Sequence, residues 1–123
     1  MIGADSSSLI AYLDGLPGDD TDAIDAALAV DELYLPPPVI IELLGGDDDR
    51  AYQEMIASAS PMPIEPGFWL RARMARRLIR RKGLKARAID SLIAQCCIDA
   101  GAPLIARDRD YRHFADWCGL KLA

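Results

Sequence analysis

The stretch Ala86-Arg87-Ala88-Ile89-Asp90-Ser91-Leu92-Ile93-Ala94, followed by Ala102-Pro103-Leu104-Ile105-Ala106-Arg107-Asp108-Arg109-Asp110-Tyr111, decides the fold. Ile89, Leu92, Ile93 and Cys96 recur at i, i+3, i+4 and i+7, the spacing of an apolar helix face. Asp90 stands beside that face in the first turns, where the positive end of the helix dipole favours a carboxylate. Gly101 and Pro103 stop the helix. Leu104-Ile105-Ala106 is then a short apolar run of the kind found in a strand covered on both faces. Asp108 and Asp110 come directly off the C-terminal end of that strand, where open α/β sheets place their sites. Asp90 and Asp108 are therefore candidate members of a metal-binding carboxylate cluster.

Outward from this stretch, strands are expected at 2–4, 33–35, 61–64 and 120–122, the third at a sheet edge because its prolines cannot donate ladder bonds. Helices are expected between them. The first follows Asp5, which either caps it or belongs to the cluster, and buries Leu9, Ile10 and Leu13. An acidic helix opens at Asp19 and buries Ile24, Ala27 and Leu28. Pro36-Pro37-Pro38 leads into Val39-Ile40-Ile41-Glu42-Leu43-Leu44, closed by Gly45-Gly46. Glu42 interrupts a run of five apolar residues; if buried it must be protonated, paired or bound to a cation. Residues 47–60 form a further amphipathic helix, with Tyr52, Met55 and Ile56 inward. A basic helix over 66–82 sets Phe68, Trp69, Ala72, Ala75, Leu78 and Ile79 against six arginines, and 109–118 make a last helix. Tyr111 and Trp117 read as core, and His113 as packing or capping. Alternating strands and helices without hairpin signals argue for a five-stranded parallel sheet with helices on both faces, a three-layer α/β/α domain spanning 1–123.

Composition narrows the function. At 123 residues and 51% apolar, the chain can build a real core. No apolar run spans a membrane, and the start lacks a signal-peptide layout. Three cysteines, two of them adjacent, suit a reducing cytoplasm. One histidine and no Cys-x-x-Cys argue against structural zinc. The net charge of −5 conceals polarity: residues 1–70 hold fourteen acids and one base, residues 71–123 five acids and thirteen bases. Nine of the bases fall between Arg71 and Arg87. An acidic protein can thus still present one basic surface to a polyanion. Arg73, Arg76, Arg77, Arg80 and Arg81 are candidates for RNA contact; the plain alternative is a solvated helix face.

If the strand order reverses beside strand one, Asp5, Glu42, Asp90 and Asp108 converge on one crevice. Carboxylates so close raise one another's pKa unless a divalent cation resolves the repulsion. With no histidine or cysteine ligands, Mg²⁺ or Mn²⁺ fits best. Such a metal can activate water and stabilise charge on a phosphoryl oxygen.

The segments Asp5-Ser6-Ser7, Pro38 to Gly45, Ile89 to Ala94 and Arg107-Asp108-Arg109-Asp110-Tyr111 resemble, in order, the successive motifs of PIN-domain ribonucleases. Length and motif order most resemble the VapC toxins of bacterial toxin–antitoxin pairs. The resemblance implies Mg²⁺- or Mn²⁺-dependent cleavage of RNA, a homodimer and inhibition by a small antitoxin. It implies Asp5, Glu42, Asp90 and Asp108 as catalytic acids at the metal, Asp110 as support or ligand, and Ser6 as a hydroxyl close to the metal. Ala106 departs from the pattern, which has threonine there; the missing hydroxyl leaves Asp108 and Asp110 competing for the fourth position. It also keeps open a catalytically weak or inactive module acting by RNA or protein binding. Haloacid-dehalogenase and phospho-receiver patterns fit poorly, since Ser7 stands where the first needs an aspartate and Lys121 lies within the fifth strand.

Overall fold

Four short parallel strands form the sheet among the residues described by the computed structural model, 1–44 and 50–123. They are β1 (Ile2–Ala4), β2 (Leu33–Leu35), β3 (Ser60–Pro61) and β4 (Leu104–Ile105), in the order β3-β2-β1-β4. Gly3 pairs with Tyr34 on one side and Leu104 on the other, so the order reverses at β1. That reversal opens a crevice beyond the carboxyl ends of β1 and β4.

The helices are α1 (Ser6–Leu13), α2 (Asp19–Ala29), α3 (Pro37–Leu44), α4 (Arg50–Ser58), α5 (Phe68–Arg81), α6 (Ala88–Ala100) and α7 (Tyr111–Cys118). The closing Gly45-Gly46 and the expected start of the fourth helix at 47–49 lie outside the described residues. Consecutive strand residues point to opposite faces, and both Gly3 and Ala4, and both Leu104 and Ile105, are buried. Helices therefore cover both faces. A Cβ on Gly3 would lie 2.7 Å from Cys97 Sγ, so α6 reaches β1 only because that residue is glycine. Burial pushes the Cys96 and Cys97 thiols up to about 12, which removes them as nucleophiles.

Several expectations need correction. The fifth strand at 120–122 is reduced to one parallel bridge, Leu104 with Leu122, framed by Leu104 N–H to Lys121 O at 2.8 Å and Ala123 N–H to Leu104 O at 2.9 Å. β4 is itself two residues long, and Leu104 is the residue that takes the bridge. The third strand does lie at the edge, but at Ser60–Pro61 rather than 61–64, because Pro63 brings no N–H. Ile10, Ile89, Trp69, Leu78 and Trp117 are exposed rather than inward. The inward face of α6 is centred on Ile93, Cys96 and Cys97, which leaves Ile89 at the rim. Trp117 lies under the Lys82 ammonium, 3.7 Å from the ring centroid. No helix among the described residues is long and apolar enough to cross a membrane.

Candidate metal centre

Asp5 leaves the end of β1 as the N-cap of α1, so the capping role is realised. Its Oδ2 accepts from the Ser7 N–H at 3.3 Å and the Ser7 hydroxyl at 2.6 Å. Its Oδ1 accepts from the Tyr111 hydroxyl at 2.8 Å. These donors hold a carboxylate that is only 4% exposed.

Asp90 approaches from the first turn of α6, with Oδ1 3.4 Å from the same Tyr111 hydroxyl. Its Oδ2 is buried without a hydrogen-bond partner. Burial, reinforced by the charges of Asp5 and Asp108, pushes the Asp90 carboxyl up to about 6; Arg87 pulls the other way. Asp108 follows β4 and accepts the Asp110 N–H at 2.9 Å. One carboxylate oxygen each from Asp90, Asp108 and Asp110 lies within 4.8 Å of the others. Asp110 also lies 3.4 Å from the Lys85 ammonium.

Glu42 stands on an exposed part of α3, and its Oε1 accepts from the Ser6 hydroxyl at 3.0 Å. Partial burial and the Asp5 charge raise its pKa, opposed by the Ser6 hydrogen bond. The crevice therefore brings Asp90, Asp108 and Asp110 within reach of one ion; Asp5 adjoins them through the shared Tyr111 hydroxyl, and Glu42 stands at the margin, bonded to Ser6. An all-oxygen donor set with a buried, unpartnered carboxylate oxygen fits Mg²⁺ or Mn²⁺.

Tyr111 was the residue that pattern reading placed in the core alone. It is buried as expected, yet its hydroxyl reaches both Asp5 and Asp90. The available signal was a tyrosine at the inward position of a short helix, since a buried phenol needs a polar partner. Burial and the nearby acids raise its pKa far above the usual range, so it remains a donor.

The segment leading to Asp108 is fixed without a hydroxyl at Ala106. Arg107 instead donates to both carboxylate oxygens of Asp20 at 2.8 and 2.9 Å, and to the Pro17 carbonyl at 3.1 Å. The Arg107 guanidinium holds the Asp20 carboxyl at about 2, tying the end of β4 to the start of α2.

Of the basic helix, Arg71 is spent on Asp99, at 3.0 and 2.6 Å, and Arg76 donates to the Ala86 carbonyl at 2.9 Å. Arg73, Arg77, Arg80 and Arg81 are exposed, and with Arg76 they line a groove of about 640 Å³ between α5 and α6. That groove does not include the acids.

Residues 4–116 match the family described as the PIN domain. Solved structures similar in fold include VapBC2 from Rickettsia felis bound to a promoter DNA fragment, at 15% identity and a TM-score of 0.77, covering 100% of this chain and 98% of that one. DNA-bound VapBC from Salmonella typhimurium matches at 14% identity and 0.74, with the same 100% and 98% coverage. FitAcB from Neisseria gonorrhoeae matches at 17% and 0.68, covering 99% and 96%. No curated protein sequence matches.

Proposed function

Because the chain belongs to the PIN-domain family, we propose that it is a Mg²⁺- or Mn²⁺-dependent endoribonuclease, the toxin of a toxin–antitoxin pair, working as one cytoplasmic domain. The observation that carries this reading is the buried, unpartnered Asp90 Oδ2 among Asp5, Asp108 and Asp110. Asp5, Asp90, Asp108 and Asp110 would hold the cation, with Glu42 and Ser6 at its edge. A bound Mg²⁺ or Mn²⁺ would supply an activated water and offset charge building on the phosphoryl oxygens.

The chain's own residues prepare that chemistry. Ser7 and Tyr111 fix Asp5, so the carboxylate needs little reorganisation when it is loaded. Asp90 must lose its proton before it can ligate, so binding strengthens as pH rises through about 6. Glu42, on the margin and raised in pKa, is the carboxylate best placed to exchange a proton with an attacking water.

The VapBC-like architecture supports a cognate antitoxin as partner. The exposed Leu70, Met74 and Leu78, spaced four residues apart along α5, supply an apolar strip suited to a homodimer. Purified protein freed of any antitoxin should cut RNA with Mg²⁺ or Mn²⁺ and stop with EDTA. Full activity in Asp5→Asn or Asp90→Asn would overturn the assigned roles. No thermal stabilisation by millimolar metal would favour the non-catalytic binding module that Ala106 leaves open.

A further inference from the structure

We propose that the α5–α6 groove is a binding track for single-stranded RNA, distinct from the acid cluster and anchored by base stacking on Trp69. It extends the nuclease reading, on which it rests only for the choice of RNA as the polyanion.

Trp69, Arg73, Arg76, Arg77 and Arg80 lie at i, i+4, i+7, i+8 and i+11, one face of α5 about 16 Å long. Arg73, Arg77, Arg80 and Arg81 have no acidic partner among the described residues, although the chain carries nineteen acids. Where α5 does need a cation for its own packing it uses Arg71, which is paired with Asp99. A row of free guanidinium groups beside a chain of net charge −5 is complementary to a phosphate backbone.

Trp69 makes the ligand more specific than a generic polyanion. It is 66% exposed at the head of the groove, and its ring makes a T-shaped contact with buried Phe68, with centroids 5.1 Å apart and planes at 77°. Phe68 thus braces the indole, most of which stays open to solvent. A fixed aromatic face at the end of a cationic row is how single strands are bound without sequence preference; a duplex keeps its bases stacked and unavailable.

The groove and the acids occupy different flanks of α6. Ala88, Ser91 and Leu92 line the groove, while Asp90 points the other way to Tyr111. About 10 Å of helix separates the two. Between them the connector carries Lys85, beside Asp110, and Arg87, which acts on Asp90. A strand lying in the groove would pass the N-terminus of α6 over these two cations to reach the acids. Binding and cutting are therefore separable.

The test uses the full chain in EDTA, so that no cleavage is needed. Anisotropy of a labelled mixed-sequence single-stranded 12-mer RNA should show log affinity falling with log salt at a slope of about −3, as four to five neutralised phosphates require. Arg73→Gln/Arg77→Gln/Arg80→Gln should lessen that slope by about 2. Trp69→Ala should weaken binding about 10- to 100-fold while leaving the slope nearly unchanged. In a Trp117→Phe background, RNA should quench the remaining Trp69 fluorescence.

Unchanged affinity in Trp69→Ala, or an unchanged slope in the triple variant, overturns the proposal. So does loss of dimer mass in these variants with RNA binding intact, which would make this face a protein interface. Failure of wild type to cut any RNA, with 12-mer binding intact, would count against the nuclease reading and leave the track standing.

Discussion

Replacing Asp90 by asparagine should make the metal-free protein more stable, the reverse of what most changes at a half-buried polar residue do. The carboxyl stands at about 6 against an ordinary 3.8, chiefly through burial and then through Asp5 and Asp108. At about 1.4 kcal/mol per pH unit this displacement amounts to about 3 kcal/mol against the ionised folded state, and residual solvent reduces it to about 2 kcal/mol. The sign follows from proton binding. Between pH 4 and 6 the folded protein holds a proton that the unfolded chain has released, so this group's contribution to stability falls as pH rises. Asp90→Asn removes the penalty, and the gain should be about 2 kcal/mol at pH 7.5 and close to zero at pH 4. In Tm this is about 8 °C for a chain of this length. Thermal unfolding in EDTA at a series of pH values measures it. Adding Mn²⁺ then separates the two proteins, since wild type gains about 2.7 kcal/mol at a hundredfold excess over Kd and the variant gains almost nothing. If Asp90→Asn is no more stable than wild type at pH 7.5, or if its gain does not depend on pH, the electrostatic account of the crevice is wrong.

Tyr111→Phe keeps the buried ring and removes only the hydroxyl, which donates to Asp5 and also reaches Asp90. A hydrogen bond to a charged group is worth about 1.5–3 kcal/mol, so Mn²⁺ affinity by calorimetry should fall about 10-fold or more while circular dichroism stays unchanged. Wild-type affinity would reduce Tyr111 to packing. Arg107→Ala should lower the urea midpoint modestly at pH 7, because Arg107 is exposed and only Asp20 is well covered. Asp20 is held at about 2, so its stabilisation is present above pH 4 and lost as pH falls toward 2; the difference between variant and wild type should close over that range. Ser6→Ala should leave metal affinity nearly intact and slow cleavage, since it frees Glu42 at the margin; a large loss of metal binding would move Glu42 into the ligand set.

The legible part of the fold was the part set by period and punctuation. Ile2–Ala4, Leu33–Leu35 and Leu104–Ile105 form strands where short apolar runs lie between turn residues, and the acids at their ends fall beside the reversal at β1. What could not be read is set by packing between elements. The expected fifth strand depended on how much of β4 was left to pair, and Leu104 alone takes the bridge. Trp69 and Trp117 looked inward because tryptophan usually is, but which side of α5 meets α6 is fixed by Arg71 reaching Asp99 and Arg76 reaching Ala86. The same contacts take Arg71 away to Asp99 and tie the groove-lining Arg76 to a backbone carbonyl, while Arg73, Arg77, Arg80 and Arg81 meet no acid among the described residues, a distinction invisible in a run of identical residues. Tyr111 escaped for a related reason, because its ring obeys the apolar pattern while its hydroxyl answers to residues 21 and 106 positions away.

The distribution of cations argues most directly for an exogenous ion in the crevice. Elsewhere this chain covers an acid by supplying a guanidinium: Arg107 forks onto Asp20 and Arg71 onto Asp99, and both carboxyls are pulled below their ordinary range. At the crevice the direction inverts, with Asp90 and Glu42 both raised. Asp5 is met by hydroxyls and an N–H rather than by a cation; among the described residues the one ion pair to these acids is Lys85 with Asp110, and Arg87 acts on Asp90 without reversing its shift. Arginine is not scarce nearby, since α5 and the connector to α6 are the most basic part of the chain. The side chains that would neutralise these acids are turned instead into the groove on the other flank of α6. A fold selected only for stability would have paired them, because a buried, unpaired carboxylate opposes folding. The arrangement makes sense if the missing positive charge is a divalent cation for the acids and the displaced arginines hold the polyanion that this cation acts upon.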